Sequence, residues 1–355
     1  MNKKMIIEKS RLKVICFGMG AIGTYIGGSL ANQGAEVVFI EKKDVLQGAG
    51  ERGIRLIIGN EKIFIPKIEI YSDVHEIIFS KQFDIALLAV KSFDTQNVLD
   101  SLYDIKDQFP PILCMQNGVE NENLISQKMG AGKVISATIT SAIGRSGNGE
   151  VKLEKLRGVG IETGHPISQT LIDWFSRAGL RSCGYSSREN MKWSKMLTNI
   201  LANASSALLN WTPQQIFSNP ITFRIEVAQI REALAVMRKL EINIIDLPGT
   251  PVISLMAIFR LFPSELSRKL IGIPLAKARG SKMPSFHIDL YAGNPKSEVS
   301  YLNGAIVRFG KQVGISTPVN QVLTHTLEAL TDGRISKEEF NNQPEKLFRH
   351  IKGDI

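Results

Sequence analysis

A glycine-rich turn near the start of the chain constrains the fold more than any other feature of the sequence. The turn is GMGAIG at residues 18–23, and it follows a short apolar run at residues 12–17. Helical spacing continues from the turn to Gly34, a residue type that commonly ends helices, and a second apolar run occupies residues 37–40. Strand, glycine turn, helix and strand within about thirty residues form the βαβ unit in which a GxGxxG motif binds a dinucleotide.

The three glycines have separate tasks in such a turn. Gly18 permits the tight turn, Gly20 lets the backbone approach a pyrophosphate, and Gly23 lets helix and strand pack closely. The N–H groups of the helix N-terminus then face the anion. The candidate cofactor-binding residues of the turn are therefore Gly18, Met19, Gly20, Ala21, Ile22 and Gly23.

The residues after the second strand point to two different cofactors. Glu41 stands where an acid binds the ribose 2′-hydroxyl of NAD, whereas Lys42 and Lys43 suit the 2′-phosphate of NADP. Glu41 and Lys42 are both candidate cofactor-binding residues, and the residues alone leave the choice between NAD and NADP open.

Further apolar runs alternate with helical patterns, as in an open parallel sheet. The run at residues 84–90 leads into Lys91, and the run at residues 111–115 leads into Gln116, Asn117 and Gly118. Because ligands bind beyond the carboxyl ends of strands in such sheets, Lys91 and Asn117 are predicted to lie on the ligand side.

The remainder of the first half is predicted to complete this sheet, and helical patterns dominate after Tyr185. The elements predicted there are a strand at 134–140, a β-hairpin over 150–162, and a helix and last strand over 166–183. The predicted helices of the second half lie at 190–210, 221–240, 250–259, 263–270, 297–313 and 320–330. The sequence thus predicts an N-terminal Rossmann-type α/β domain at 1–186, followed by an all-helical domain at 187–355.

Two segments of the second half are less regular. Residues 247–282 mix proline, glycine and basic residues with short apolar runs, so they could cover a site, form a dimer contact or form a peripheral helical pair. The polar C-terminal segment at 334–355 is predicted to be peripheral.

The predicted helix at 190–210 is apolar around most of its circumference, but a polar stripe interrupts it. Lys195, Asn199 and Asn203 are spaced i, i+4 and i+8, so they lie on one face of a continuous helix. Asparagine is unfavourable inside a helix because its side chain competes for backbone hydrogen bonds. The stripe is therefore a solvated face, a hydrogen-bonded seam between helices, or a site that faces a polar ligand.

Composition narrows the classes of partner. Lys and Arg outnumber Asp and Glu by 43 to 34, a net charge of +9, which suits anionic small molecules. Because the chain has no basic stripe with interleaved aromatic residues, nucleic acid is not expected as a partner. No metal-ligand cluster is seen, and a signal peptide is not expected because the basic N-terminal residues lack an apolar run. The charge-free stretch at 247–259, which could suggest a membrane segment, contains two prolines and a glycine and is too short to span. A cytoplasmic protein is expected, and the apolar C-terminal helices are compatible with a homodimer.

These pieces together resemble the ketopantoate reductases (2-dehydropantoate 2-reductases) over essentially the whole chain. The matching segments are GMGAIG, AVKSFDT, MQNGVEN, WSKMLTNILANASSALL and PSFHIDLYAGNPKSEVSYLNGAIVRFGKQVGISTPVNQVL. The K-x3-N-x3-N helix followed by the PS and SEVxxLNG motifs is specific, whereas GxGxxG occurs in many unrelated enzymes.

The resemblance implies a role for each matching residue. Lys195 would be the catalytic acid and Glu298 would interact with it, while Asn199 and Asn203 hold the substrate and Ser285 binds its carboxylate. The residues that would line the cofactor and substrate sites are Lys91 and Asn117. Glu298 is aligned by allowing one extra residue after Asp289.

The resemblance also implies a reaction, the NADPH-dependent reduction of ketopantoate to pantoate on the route to pantothenate and coenzyme A. The basic position that selects NADP is usually arginine in the family and is Lys42 here, next to Glu41, so NAD is possible as well. The alternatives are a reductase of another 2-keto acid and a protein that senses NAD(P) without turnover. A sensor has no chemical need for the Lys195, Asn199, Asn203, Ser285 and Glu298 set.

Overall fold

The computed structural model describes residues 11–42, 53–147, 149–272, 274–276 and 282–353. The chain groups into two compact units. The first unit comprises Met1–Val90, Asp94–Gln116 and Asn121–Ser186, and the second comprises Lys91–Phe93, Asn117–Glu120 and Ser187–Ile355. An α/β sheet in the N-terminal half followed by a helical C-terminal half confirms the fold class that the sequence predicts.

The described residues form twelve strands, all of them in the first unit. They are β1 Lys13–Phe17, β2 Glu36–Ile40, β3 Ile54–Ile58, β4 Glu61–Ile65, β5 Glu69–Tyr71, β6 Ile85–Leu88, β7 Ile112–Cys114, β8 Val134–Ile139, β9 Ala142–Gly147, β10 Glu150–Lys155, β11 Val159–Glu162 and β12 Ser182–Tyr185. Eight of these form the main sheet in the order β12-β11-β8-β7-β6-β1-β2-β5. The strands from β8 to β5 are parallel, whereas β11 runs antiparallel to β8.

The main sheet is buried on both faces, which explains the uninterrupted apolar runs of its strands. Along β1, Val14 and Cys16 belong to one hydrophobic cluster, and Ile15 and Phe17 belong to another. Alternate side chains of a strand point to opposite faces, so each cluster covers one face of the sheet. The predicted strands at 12–17, 37–40, 84–90, 111–115 and 134–140 are found within one to two residues of their predicted ends.

The helices of the first unit connect these strands. They are α1 Ala21–Asn32, α2 His75–Ile78, α3 Thr95–Ser101, α4 Asn121–Met129 and α5 Ser168–Arg177, with 3-10 turns at Tyr103–Ile105 and Ala131–Lys133. A further 3-10 turn, Ser92–Asp94, begins in the segment Lys91–Phe93 of the second unit. Helix α1 follows β1 directly through the glycine turn, as the sequence predicts.

The hairpin predicted over residues 150–162 is wrong. Strand β10 pairs with β9 and β3 in a separate four-stranded sheet of order β4-β3-β10-β9, whereas β11 pairs with β8 and β12 in the main sheet. The hairpin lies one strand earlier, between β9 and β10, where Gly149 supplies the positive φ of +74° that a tight turn needs.

The second unit is helical. Its helices are α6 Arg188–Ile200, α7 Asn203–Leu209, α8 Pro213–Ser218, α9 Pro220–Lys239, α10 Val252–Leu261, α11 Ser264–Ser267, α12 Ser285–Tyr291, α13 Asn303–Gln312, α14 Pro318–Thr331 and α15 Pro344–Gly353, with a π-helical turn at Arg268–Gly272 and a 3-10 turn at Glu298–Tyr301. In the described part of the chain, no helix is long and apolar enough to cross a membrane.

The single helix predicted at 190–210 is also wrong, because the structure divides it into α6 and α7. Ala202, between them, has a left-handed backbone with φ of +57°. The buried carboxylate of Glu226 on α9 accepts the Ala202 N–H at 2.6 Å and the Ser205 hydroxyl at 2.5 Å. A side chain distant in sequence therefore satisfies the backbone N–H group that the break exposes.

Two irregular segments pack into the second unit. In the region 247–282, Phe259 of α10 stacks on Phe223 of α9, and the guanidinium of Arg231 donates to the carbonyls of Phe259 and Phe262. The C-terminal segment is not merely peripheral, since α15 buries Leu347 and Ile351 on its apolar face.

Candidate functional site

The glycine turn of the first unit leaves room where a dinucleotide would approach. Gly18 has φ of +96°, and a Cβ on Gly23 would lie 1.9 Å from the carbonyl oxygen of Gly18, so both positions require glycine. A Cβ on Gly20 would meet nothing within 4 Å, so the space beside it is open. Among the described side chains, none caps the N-terminus of α1, and no acidic residue stands in its first turn. The turn therefore fits a pyrophosphate.

The two residues that follow β2 differ in their surroundings. Glu41 turns back to the glycine turn, where its Oε2 accepts the Met19 N–H at 2.5 Å and its Oε1 accepts the Lys42 N–H at 2.9 Å. The Lys42 side chain is 70% exposed, and its Nζ lies 3.7 Å from Oδ2 of Asp94. The Glu41 carboxylate is thus held beside the glycine turn by hydrogen bonds, whereas the Lys42 ammonium lies near the Asp94 carboxylate.

A charged cluster in the second unit links Lys91, which follows β6, to carboxylates in the C-terminal half of the chain. Lys91 Nζ donates to Oδ2 of Asp289 at 2.9 Å and to Oε2 of Glu298 at 3.0 Å. The other oxygen of Glu298 accepts from the Ser92 N–H at 3.2 Å and from the Ser92 hydroxyl at 3.1 Å. Burial lowers the pKa of Lys91, but Glu298 and Asp289 raise it by more, so its pKa lies above the usual range and the amine stays cationic at neutral pH.

The asparagines form two hydrogen-bonded pairs with other predicted site residues. Asn199 on α6 donates to Oδ1 of Asn117 at 2.9 Å. The Asn117 carbonyl lies 3.0 Å from the Ser92 hydroxyl oxygen and shares its one hydrogen with Glu298. On α7, Asn203 donates to the Ser285 hydroxyl oxygen at 3.3 Å. The structure thus brings Lys91, Asn117, Asn199, Asn203, Ser285 and Glu298 into the second unit, with contacts that pair them.

The second of these pairs fixes the start of α12. Oδ1 of Asn203 accepts the Phe286 N–H at 3.0 Å, which satisfies one N–H group of that helix N-terminus. Ser285, the first residue of α12, is exposed, and its oxygen accepts from Asn203, so its own hydroxyl hydrogen is available to donate. An exposed serine donor at a helix N-terminus suits a carboxylate.

Lys195 lies on α6, half-buried, one helical turn before Asn199. The i, i+4 spacing within α6 keeps these two side chains on one face. Asn203 begins the separate helix α7, so its position relative to Lys195 and Asn199 depends on the break at Ala202 and not on helical periodicity. The resemblance pairs Glu298 with Lys195, whereas the hydrogen bonds that the structure gives the Glu298 carboxylate come from Lys91 and Ser92.

Sequence reasoning missed three residues that organise this site. Ser92 and Asp289 complete the cluster around Lys91 and Glu298, and Glu226 holds the break between α6 and α7. Asp289 carries a weak sequence signal, since it follows Ser285 by four residues. Among the described residues, no group of three or more His, Cys, Asp and Glu side chains is placed to hold a metal ion.

Two protein-family models match most of the chain. The model described as Ketopantoate reductase PanE/ApbA matches residues 14–164, and the model described as Ketopantoate reductase PanE/ApbA C terminal matches residues 188–331. The chain belongs to the ketopantoate reductase family. This confirms the resemblance drawn from the motifs and makes the protein an oxidoreductase that acts with a nicotinamide cofactor on a 2-keto acid.

Relatives within the ketopantoate reductase family match between two thirds and nine tenths of the chain. The chain is 25% identical to a 2-dehydropantoate 2-reductase of Pyrococcus horikoshii over 326 residues, which are 90% of this chain and 97% of the relative. It is 29% identical to a 2-dehydropantoate 2-reductase of Pyrobaculum aerophilum over 245 residues, which are 68% of this chain and 75% of the relative.

Solved structures share the fold. A PanE/ApbA family ketopantoate reductase from Ralstonia eutropha has a TM-score of 0.76 at 26% identity, covering 91% of this chain and 99% of that one. D-mandelate dehydrogenase, solved with NADH and anilino(oxo)acetate, has a TM-score of 0.74 at 20% identity, with the same coverage. The second likeness concerns the fold alone.

Proposed function

We propose that this member of the ketopantoate reductase family reduces 2-dehydropantoate to pantoate, the reaction that supplies pantothenate and coenzyme A synthesis. The observation that carries the proposal is the pairing of Asn117 with Asn199 and of Asn203 with Ser285, beside Lys195 on α6. Neutral donors next to a cationic acid are what an anionic keto acid needs for binding and protonation. A bound nicotinamide would supply the hydride that reduces the keto carbon.

Lys195 is proposed as the general acid. An ammonium group can give a proton to the carbonyl oxygen as the carbon is reduced, and its charge stabilises the alkoxide that develops. Trp193, Met196 and Leu197 of the same helix are buried, so the helix that carries the lysine is anchored on its apolar face. A fixed helix limits the motion of the donor and keeps its orientation.

The remaining polar residues of the second unit are proposed to hold the substrate. Ser285 donates to the substrate carboxylate, with Asn203 fixing its oxygen, and the Asn117–Asn199 pair supplies amide groups for the other polar atoms of the substrate. In the cluster around Lys91, the Lys91 ammonium is held in place by two carboxylates, those of Glu298 and Asp289. One cation and two anions leave the cluster with a net negative charge. Lys91 and Asn117 are also proposed to contact the cofactor.

The assay that tests this function measures the loss of nicotinamide absorbance with NADH and NADPH against a panel of 2-keto acids. The proposal expects the highest kcat/KM with 2-dehydropantoate. A higher kcat/KM with another branched or polar 2-keto acid would reassign the substrate. Binding of the cofactor without turnover of any keto acid would favour the sensing alternative.

Replacing Ser285 by alanine is expected to raise the KM for the keto acid and leave cofactor affinity nearly unchanged. A neutral hydrogen bond to a charged group contributes roughly 1.5–3 kcal/mol, about ten- to a hundredfold in KM. Steady-state kinetics and a cofactor titration check both parts. Ser264→Ala is the matched control, because Ser264 also follows a proline and begins a helix, α11. An unchanged KM in Ser285→Ala would remove Ser285 from the carboxylate site.

A further inference from the structure

We infer that Glu41 selects NADH against NADPH in this enzyme. The inference rests on the proposed function, and specifically on dinucleotide binding at the glycine turn. It departs from the NADPH preference that the family resemblance implies. The observation behind it is the position of the Glu41 carboxylate, which is hydrogen-bonded to the glycine turn.

Both carboxylate oxygens of Glu41 have backbone donors. Oε2 accepts the N–H of Met19, the second residue of GMGAIG, and Oε1 accepts the N–H of Lys42. These bonds restrict the side chain to one orientation beside the turn. Glu41 follows Met19 by 22 residues, the spacing at which an acid of this fold bonds the ribose 2′-hydroxyl of NAD. Hydrogen bonds to a fixed carboxylate favour that hydroxyl, which is a donor.

A 2′-phosphate meets the opposite electrostatics at this position. It carries a charge of about −1.5 to −2, and a carboxylate close to it repels it. Lys42, the basic candidate, lies with its Nζ 3.7 Å from the Asp94 carboxylate and is largely exposed. The Lys42 ammonium thus already lies near a carboxylate, which reduces the charge that it can offer to a 2′-phosphate. Lys43 lies outside the described residues.

The test is direct binding of each cofactor to the purified full-length protein by isothermal titration calorimetry. Wild-type protein is expected to bind NADH more tightly than NADPH. Glu41→Gln keeps an amide oxygen for the Met19 N–H but removes the charge, so the NADPH Kd should fall by about ten- to a hundredfold, the effect of one close charge in partly screened surroundings. The NADH Kd should change by much less.

The control is Glu36→Gln, which removes a carboxylate at the other end of the same strand, where Glu36 pairs with Lys81. Its ratio of NADH to NADPH affinity should match the wild type. A wild-type preference for NADPH, or a ratio that Glu41→Gln leaves unchanged, would overturn the inference. Because binding requires no turnover, those results would leave the reductase proposal standing, whereas failure to bind either cofactor would overturn both.

A second variant, Lys42→Ala, removes a positive charge where Glu41→Gln removes a negative one, and it is tested in the same titration. Lys42→Ala is expected to weaken NADPH binding more than NADH binding, because the only loss is a cation that can approach a 2′-phosphate. Its exposure and its contact with Asp94 keep the expected change small, within about tenfold. Equal weakening of both cofactors would mean that Lys42 does not interact with the 2′-phosphate.

Discussion

Lys195→Ala is expected to fold, to bind the nicotinamide cofactor with near wild-type affinity, and to lose most of its kcat. Loss of a general acid typically costs about 10²–10⁴-fold in rate. The cation also stabilises the developing alkoxide, so the loss should lie at the upper end of that range. The substitution should leave the melting temperature unchanged or slightly higher, because alanine favours helix and a half-buried lysine is desolvated in α6.

Two measurements on the same variant separate catalysis from structure, the single-turnover rate of reduction and the melting temperature. Lys192→Ala is the comparison, because Lys192 lies one turn away on α6 and is only 3% exposed. Because the aliphatic stem of Lys192 is packed in the interior, its removal leaves a cavity and should lower the melting temperature, while the single-turnover rate stays near wild type. If Lys195→Ala kept near wild-type turnover, or lost stability as Lys192→Ala does, Lys195 would not be the catalytic acid.

The strands of the main sheet could be predicted because their signal is local. A run such as Ile85–Leu88 is buried on both faces, so each of its side chains is apolar and the run is continuous. The false hairpin over 150–162 shows the limit of that signal. Two adjacent strands, β10 and β11, have the same appearance whether or not they pair, and pairing depends on partners elsewhere in the chain.

The break between α6 and α7 had no local signal at all. Helix ends with a left-handed residue usually have glycine or asparagine there, whereas this chain has Ala202, a strong helix former. What stabilises the break is Glu226, 24 residues away. The cluster around Lys91 could not be predicted from the sequence for the same reason, since Asp289 and Glu298 follow Lys91 by 198 and 207 residues. The site residues could be named from motifs, but their partners could not.

Glu226→Ala is expected to be the most destabilising single change in the helical unit. Glu226 is fully buried, and its carboxylate accepts the Ala202 N–H, the Ser205 hydroxyl and, at 2.7 Å, the amide of Gln229. Each buried donor left without its acceptor costs about 1–3 kcal/mol, so the free energy of unfolding should fall by roughly 3 kcal/mol or more. Because this break sets Asn203 relative to Asn199, the KM for the keto acid should rise as well.

Glu232→Ala separates these two effects. Glu232 lies on the same helix, α9, and accepts the N–H groups of Val319 and Asn320 at the start of α14, a helix that carries none of the proposed substrate residues. Both variants should lose stability in denaturant unfolding. Only Glu226→Ala should raise the keto acid KM, by about tenfold, the effect of misplacing one hydrogen-bonding group. If both variants had the same keto acid KM, Glu226 would have a structural role only. The break at Ala202 would then not affect how Asn199 and Asn203 bind the substrate.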